Sequence, residues 1–156
     1  MIGRPRWPAS VLIVVAAVFS FAAVVLSASA ASSQNRSFRT AKALHVTKDC
    51  SGFTGLVGAF CTIRSSNVKS LRVGSRIFYL QVASQTELNS DMAIYAGPGD
   101  IAAGHCLLHF ATGVGLCTIS DGTGTLAGLR ARIRVTADSS IPSLWHWDGT
   151  YSFKKS

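Results

Sequence analysis

The chain has 156 residues, with 15 lysines and arginines against 7 aspartates and glutamates, so its formal net charge at pH 7 is +8. This length suits one domain of common size and is too short for two. The positive charges are spread along the sequence, and no recognised nucleic-acid-binding module is present, so we predict no nucleic-acid partner.

The N-terminal segment has the order of an export signal. Arg4 and Arg6 precede an apolar run over residues 11–26, and the small residues Ala28-Ser29-Ala30 follow it. We therefore predict that residues 1–30 are a removed signal peptide and that the protein is secreted, with no stable membrane anchor after cleavage. The alternative is an uncleaved anchor, because the apolar stretch is just long enough to cross a bilayer. Either way, the rest of the chain faces an oxidising exterior.

The mature part of the chain carries a β pattern. Residues 31–42 are polar and are predicted to be a flexible leader, while residues 43–156 alternate between β-forming runs and turn signals. Eight strands are predicted, at residues 44–47, 57–64, 76–83, 91–96, 103–110, 114–120, 126–137 and 144–153. Strands of this length and spacing indicate an antiparallel barrel or sandwich. The turn after the sixth strand is expected to need a positive φ at Gly122 and Gly124.

The four cysteines fall into two pairs with the same spacing, which we call frames: Cys50 with Cys61, and Cys106 with Cys117. In a small exported domain they indicate two disulfides, and three pairings are open. Hairpin loops at Gly55-Leu56 and at Ala111-Thr112 would put the cysteines of each frame opposite one another, within disulfide range. We therefore predict the two pairings within the frames. No metal is predicted, because the close cysteine pairs typical of zinc sites are lacking.

The seventh strand shows the clearest alternation. One face carries Leu129, Ala131, Ile133 and Val135, and the other carries Arg130, Arg132, Arg134 and Thr136. The first face is predicted to be buried and the second to be exposed. The three arginines are interpreted as a solvated sheet face, with an anion-binding strip as the alternative.

Part of this sequence resembles a known family. The runs Gly104-His105-Cys106 and Gly115 to Gly128, which include the turn Asp121-Gly122-Thr123-Gly124, resemble the strand, glycine turn and strand of the allene oxide cyclase and dirigent superfamily. The segment Leu144 to Phe153 is similar to the last strand of its bacterial secreted relatives. The resemblance implies an eight-stranded antiparallel β-barrel with a cavity at one end, often assembled into homo-trimers. Its plant members cyclise an unstable epoxide or steer the coupling of phenoxy radicals.

Few residues are candidates for a site. Asp91 and Tyr95 share a face of the fourth predicted strand, and Glu87 lies just ahead of them. We expect this acid–phenol pair to line the barrel mouth and the carboxyl pKa to rise through desolvation, with solvent exposure as the alternative. Trp145 and Trp147 share a face of the last strand, where core packing and a ligand-stacking platform are the two interpretations. No catalytic residue and no cofactor is assigned.

These observations together predict a secreted, disulfide-stabilised barrel that binds a small, mainly apolar molecule, with dirigent-like or cyclase-like catalysis left open. The rival is a surface-interaction module without catalysis, acting on cell wall, polysaccharide or a partner protein. A third interpretation is a secreted inhibitor that uses a rigid disulfide-closed loop such as Cys50–Cys61. A lumen with room for roughly 300 Å³ of ligand would favour the first, and a packed interior is compatible with the second.

Overall fold

The computed structural model describes residues 41–154, which form a closed barrel of eight antiparallel strands. The strands are β1 (Lys42–Asp49), β2 (Phe60–Ser66), β3 (Arg76–Tyr79), β4 (Glu87–Gly97), β5 (Asp100–His109), β6 (Val114–Gly122), β7 (Leu129–Ala137) and β8 (Leu144–Phe153). Each strand pairs with the next one along the chain, and β1 pairs with β8 to close the barrel. The predicted all-β, eight-stranded antiparallel architecture is therefore confirmed.

Two sequence predictions fall outside this range. The signal peptide, residues 1–30, and the leader up to residue 40 lie outside the described residues. Within the part of the chain that the structure describes, no helix is long and apolar enough to cross a bilayer.

The core fills the inside of the barrel because side chains alternate along every strand. β7 shows this most simply, since its apolar face is buried and its three arginines are exposed, as predicted. Large side chains from across the barrel are fully buried, among them Leu44, Ile63, Ile77, Ile94 and Trp147. The described interior is thus packed with side chains, and this counts against a ligand of roughly 300 Å³ in the lumen.

Both predicted disulfides are present, with Cα separations of 4.2 Å for Cys50–Cys61 and 4.1 Å for Cys106–Cys117. Cys106 lies directly opposite Cys117 in the β5–β6 ladder. The loop between these two strands is centred on Ala111-Thr112, as predicted.

The first frame has a different loop from the one expected. A long loop of residues 50–59 joins β1 to β2, so the prediction of a two-residue hairpin at Gly55-Leu56 is wrong. The loop is held by neighbours at the same end of the barrel: Cys50 N donates to Ser143 O, and Ala83 N donates to Gly55 O. Such contacts between distant segments outweigh the local turn signal at Gly55.

The turn after β6 needs its two glycines for different reasons. Gly124 has a φ of +56°, as expected, and begins a single turn of 3₁₀ helix, Gly124–Leu126. Gly122 does not have a positive φ, so that part of the expectation is wrong. A Cβ at Gly122 would instead lie 2.4 Å from the backbone oxygen of Leu126. Close packing of the turn onto β6 therefore excludes a side chain there.

Candidate functional site

The acid–phenol pair lies on the outside of the barrel. Asp91 and Tyr95 are exposed on β4, and Glu87 begins the same strand at a position of the same parity. The inward positions of β4 are instead taken by Leu88, Ser90, Met92, Ile94 and Ala96. The expectation that Asp91 and Tyr95 line the barrel mouth is therefore wrong, because the pleat points them to solvent.

These outward side chains have partners of their own. Asp91 Oδ1 lies 2.9 Å from His105 Nδ1, and Glu87 Oε2 lies 3.6 Å from His109 Nδ1. The hydrogen bond from His105 is the main reason that the pKa of Asp91 is lowered, whereas a rise was expected. Tyr95 packs edge-to-face on Phe78, with ring centroids 5.4 Å apart.

The two tryptophans of β8 share the inner face, as their spacing indicates. Trp147 is fully buried in the core. Trp145 is partly buried and packs against the core from one end of the barrel. We call this the Lys48 end: β1, β3, β5 and β7 finish there, and it carries the loops of residues 50–59, 80–86, 110–113 and 138–143.

A lysine inside the Lys48 end is the chemically distinctive feature of the barrel. Lys48 continues the inward alternation of Leu44 and Val46 along β1 and is only 2% exposed. Its Nζ donates a hydrogen bond of 2.5 Å to Tyr79 Oη on β3. It also lies 5.2 Å from the ring centroid of Tyr79 and 4.9 Å from that of Trp147. No carboxylate among residues 41–154 forms an ion pair with it.

Burial changes the protonation of both groups. It lowers the pKa of Lys48 to about 7, because the ammonium loses its water and gains no counter-ion. It raises the pKa of Tyr79, so the phenol keeps its proton throughout the physiological range. Near pH 7, Lys48 is therefore a neutral amine far more often than an exposed lysine is. A neutral amine in apolar surroundings is a base and a nucleophile.

The Lys48 amine borders a small cavity of about 30 Å³. The cavity is lined by the first disulfide and by apolar and aromatic side chains: Cys50, Phe53, Cys61, Tyr79, Leu88, Leu108, Phe110 and Trp145. An open groove of about 400 Å³ adjoins it between the loops of residues 50–59 and 80–86. Phe53 and Phe110 line both spaces and so form the partition between the groove and the cavity.

Sequence reasoning missed Lys48 and Tyr79, although a signal for both was present. The first strand is predicted at residues 44–47, so Lys48 falls just outside it. Extending the alternation of Leu44 and Val46 by one more step places Lys48 inside. Tyr79 likewise shares the inward face with Ile77. The contact between the two residues depends on how β1, β2 and β3 pair, which the sequence pattern does not give.

Comparison of the chain with protein-family models, with curated proteins and with solved structures found no match. The architecture agrees with the barrel that the resemblance implies. The two disulfides indicate an oxidising compartment.

Proposed function

We propose that the protein is a secreted binder of small, mainly apolar molecules that carry an oxygen-containing head group. The ligand is held at the Lys48 end rather than in the packed lumen. The observation that carries the proposal is the Lys48 amine, buried beside a phenol and without a carboxylate partner in the described chain. A buried ionisable group of this kind costs stability, and such groups are concentrated at functional sites.

The groove and the cavity at the Lys48 end would hold two different parts of the ligand, its apolar body and its oxygen-containing head group. The groove of about 400 Å³ has the size of a small-molecule site, whereas the cavity of about 30 Å³ holds a water molecule or a group of similar size. We place the apolar body in the groove against Phe53, Leu56 and Val82. Rotation of Phe53 or Phe110, which line both spaces, admits the head to Lys48 and Tyr79.

The epoxide cyclisation and radical coupling that the resemblance implies are not part of this proposal. No residue of the chain is assigned to such chemistry, and the acid–phenol pair expected at the barrel mouth lies on the outer face of β4. Lys48 and Tyr79 instead supply hydrogen-bond donors to an oxygen atom, in surroundings that exclude bulk water.

Binding of a neutral hydrophobic fluorophore, N-phenyl-naphthylamine, tests the groove, which is the part of the proposed site that holds the apolar body. Leu56→Asp puts a charge into the groove and is expected to weaken binding by at least about tenfold, or about 1.4 kcal/mol. Val73→Asp is the matched control, because Val73 is 66% exposed against 62% for Leu56 and lies in a loop at the other end of the barrel. Equal affinity of the two variants, or no binding by the wild type, would contradict the proposal.

A further inference from the structure

We propose that Lys48 forms an imine with aldehyde ligands and that Tyr79 transfers the protons of this reaction. The inference rests on the proposed function, because it names the head group of the same ligand. It assigns a covalent role to the one inward-facing lysine of β1.

The geometry places the two reacting groups side by side. Nζ of Lys48 and Oη of Tyr79 are 2.5 Å apart, and both border the cavity. A carbonyl oxygen that accepts a hydrogen bond from Oη therefore brings its carbon next to Nζ. A cavity of about 30 Å³ has room for a formyl group but not for the second carbon substituent of a ketone, so it selects aldehydes.

The reaction balances without an oxidant or a reductant. The nitrogen lone pair of Lys48 attacks the carbonyl carbon, and the π electron pair of the C=O bond moves to oxygen. That oxygen takes the phenolic proton of Tyr79 while the phenol oxygen takes a proton from nitrogen, which gives a carbinolamine. A second transfer through Tyr79 protonates the hydroxyl group, which leaves as water as the C=N bond forms. The products are an imine and one water molecule.

The surroundings support both the attack and the persistence of the imine. The pKa of Lys48, lowered to about 7 by burial, supplies neutral amine near pH 7. Among the side chains that line the cavity, Tyr79 is the one other group that titrates, since Cys50 and Cys61 are joined in a disulfide. Asp49, the next residue along, is held by Arg64 at 2.6 Å instead. The apolar lining limits the water that would hydrolyse the imine.

Reductive trapping tests the inference. The protein is incubated near pH 7 with phenylacetaldehyde and cyanoborohydride, and the adduct is located by peptide mapping. We expect a secondary amine on Lys48, lost in Lys48→Met and retained in Lys42→Met, an exposed lysine on the same strand. Tyr79→Phe keeps the amine and is expected to slow trapping by about a hundredfold or more. Calorimetry with phenylethyl alcohol, which cannot form an imine, measures non-covalent binding in parallel.

The possible outcomes distinguish a failure of the imine inference from a failure of the proposed binding function. Adducts spread evenly over the exposed amines, with the alcohol still bound by the wild type, would overturn the imine and leave the proposed function standing. No binding of either compound would overturn both. If Tyr79→Phe is trapped at the wild-type rate, the proposal that Tyr79 transfers the protons would be contradicted. If Lys48→Met fails to fold, the peptide map of the wild type decides the position of the adduct.

Discussion

Lys48 is costly to the fold, and that cost is the strongest argument that it has a use. Replacing a buried ionic group by an apolar side chain of similar volume is often neutral or stabilising. Methionine would fill nearly the same space among the apolar side chains at this end of the barrel. Residues that lower stability in this way are typical of sites that bind or react.

The lowered pKa of Lys48 makes the stability of the barrel depend on pH. Between about 7, the pKa in the folded state, and 10.5, the ordinary value, the unfolded chain binds a proton that the folded chain does not. The free energy of unfolding therefore rises with pH across this window, by roughly 5 kcal/mol in total. Lys48→Met is expected to remove this rise, whereas Lys42→Met keeps it. Urea unfolding at several pH values between about 6 and 9 measures the lower part of this rise.

A second variant is needed to account for Tyr79, the hydrogen-bond partner of Lys48. Lys48→Met leaves the buried Tyr79 hydroxyl without its hydrogen bond, which costs about 1 to 3 kcal/mol. The double variant Lys48→Met/Tyr79→Phe should therefore be more stable than Lys48→Met and show the same flat pH profile. An unchanged pH slope in either variant would contradict the assignment of the buried charge.

Strands with strong local patterns could be predicted, and segments fixed by distant contacts could not. β8 has the predicted bounds of residues 144–153, and β7 shows the predicted alternation. β3 was predicted to continue to residue 83 but ends at Tyr79. The reason is tertiary, since Ser90 Oγ accepts hydrogen bonds from the backbone N–H groups of Leu80 and Gln81. The contact between Lys48 and Tyr79 could not be predicted for the same reason, because the two residues are 31 positions apart in the sequence.

The two disulfides allow an element-level test of the site. Both span the same sequence separation of 11, so the chain-entropy model gives each about 3 kcal/mol. Cys50–Cys61 anchors the loop that carries Phe53 and Leu56, whereas Cys106–Cys117 joins residues already paired within β5 and β6.

Removing either disulfide is therefore expected to lower the thermal midpoint by a similar amount but to affect binding differently. Cys50→Ala/Cys61→Ala should weaken the affinity for N-phenyl-naphthylamine, because the groove loses one of its walls. Cys106→Ala/Cys117→Ala should retain that affinity below its own thermal midpoint. Thermal melts and fluorophore titrations of both double variants check this. Equal losses of affinity would show that the loop of residues 50–59 does not form the site.

Across the whole molecule, the outer surface separates into paired and unpaired charges. All four histidines lie beside carboxylates, namely His45 with Asp148, His105 with Asp91, His109 with Glu87 and His146 with Asp138. The hydrogen bond from His146 is the main cause that lowers the pKa of Asp138 to about 2. Asp49 and Asp100 pair with Arg64 and Arg72. Most of the described acidic groups are therefore already engaged.

A second outer region is apolar rather than charged. Val57, Phe78, Leu80, Ala93 and Tyr95 line one shallow exposed surface together with Arg76. The homo-oligomer implied by the resemblance stays a prediction, and an aromatic, weakly charged surface of this kind is typical of the central part of a protein interface.

The arginine strip of β7 allows a test of one form of the rival function, the interaction with a polysaccharide. Arg130, Arg132 and Arg134 have no carboxylate within ion-pair distance among residues 41–154. Alternate residues of a strand lie about 6.6 to 6.8 Å apart, so the strip presents a regular row of positive charge. We expect retention of the protein on heparin, used as a sulfated polysaccharide, to decrease with salt because exposed charges are screened.

Arg132→Gln, at the centre of the strip, should lower the salt concentration of elution. Arg64→Gln is the matched control, because Arg64 is exposed but already paired with Asp49 at 2.6 Å, so its charge is less free to bind an anion. Elution of both variants at the same salt concentration would show that retention follows net charge and not the strip. No retention of the wild type would contradict binding of a sulfated polysaccharide by the strip.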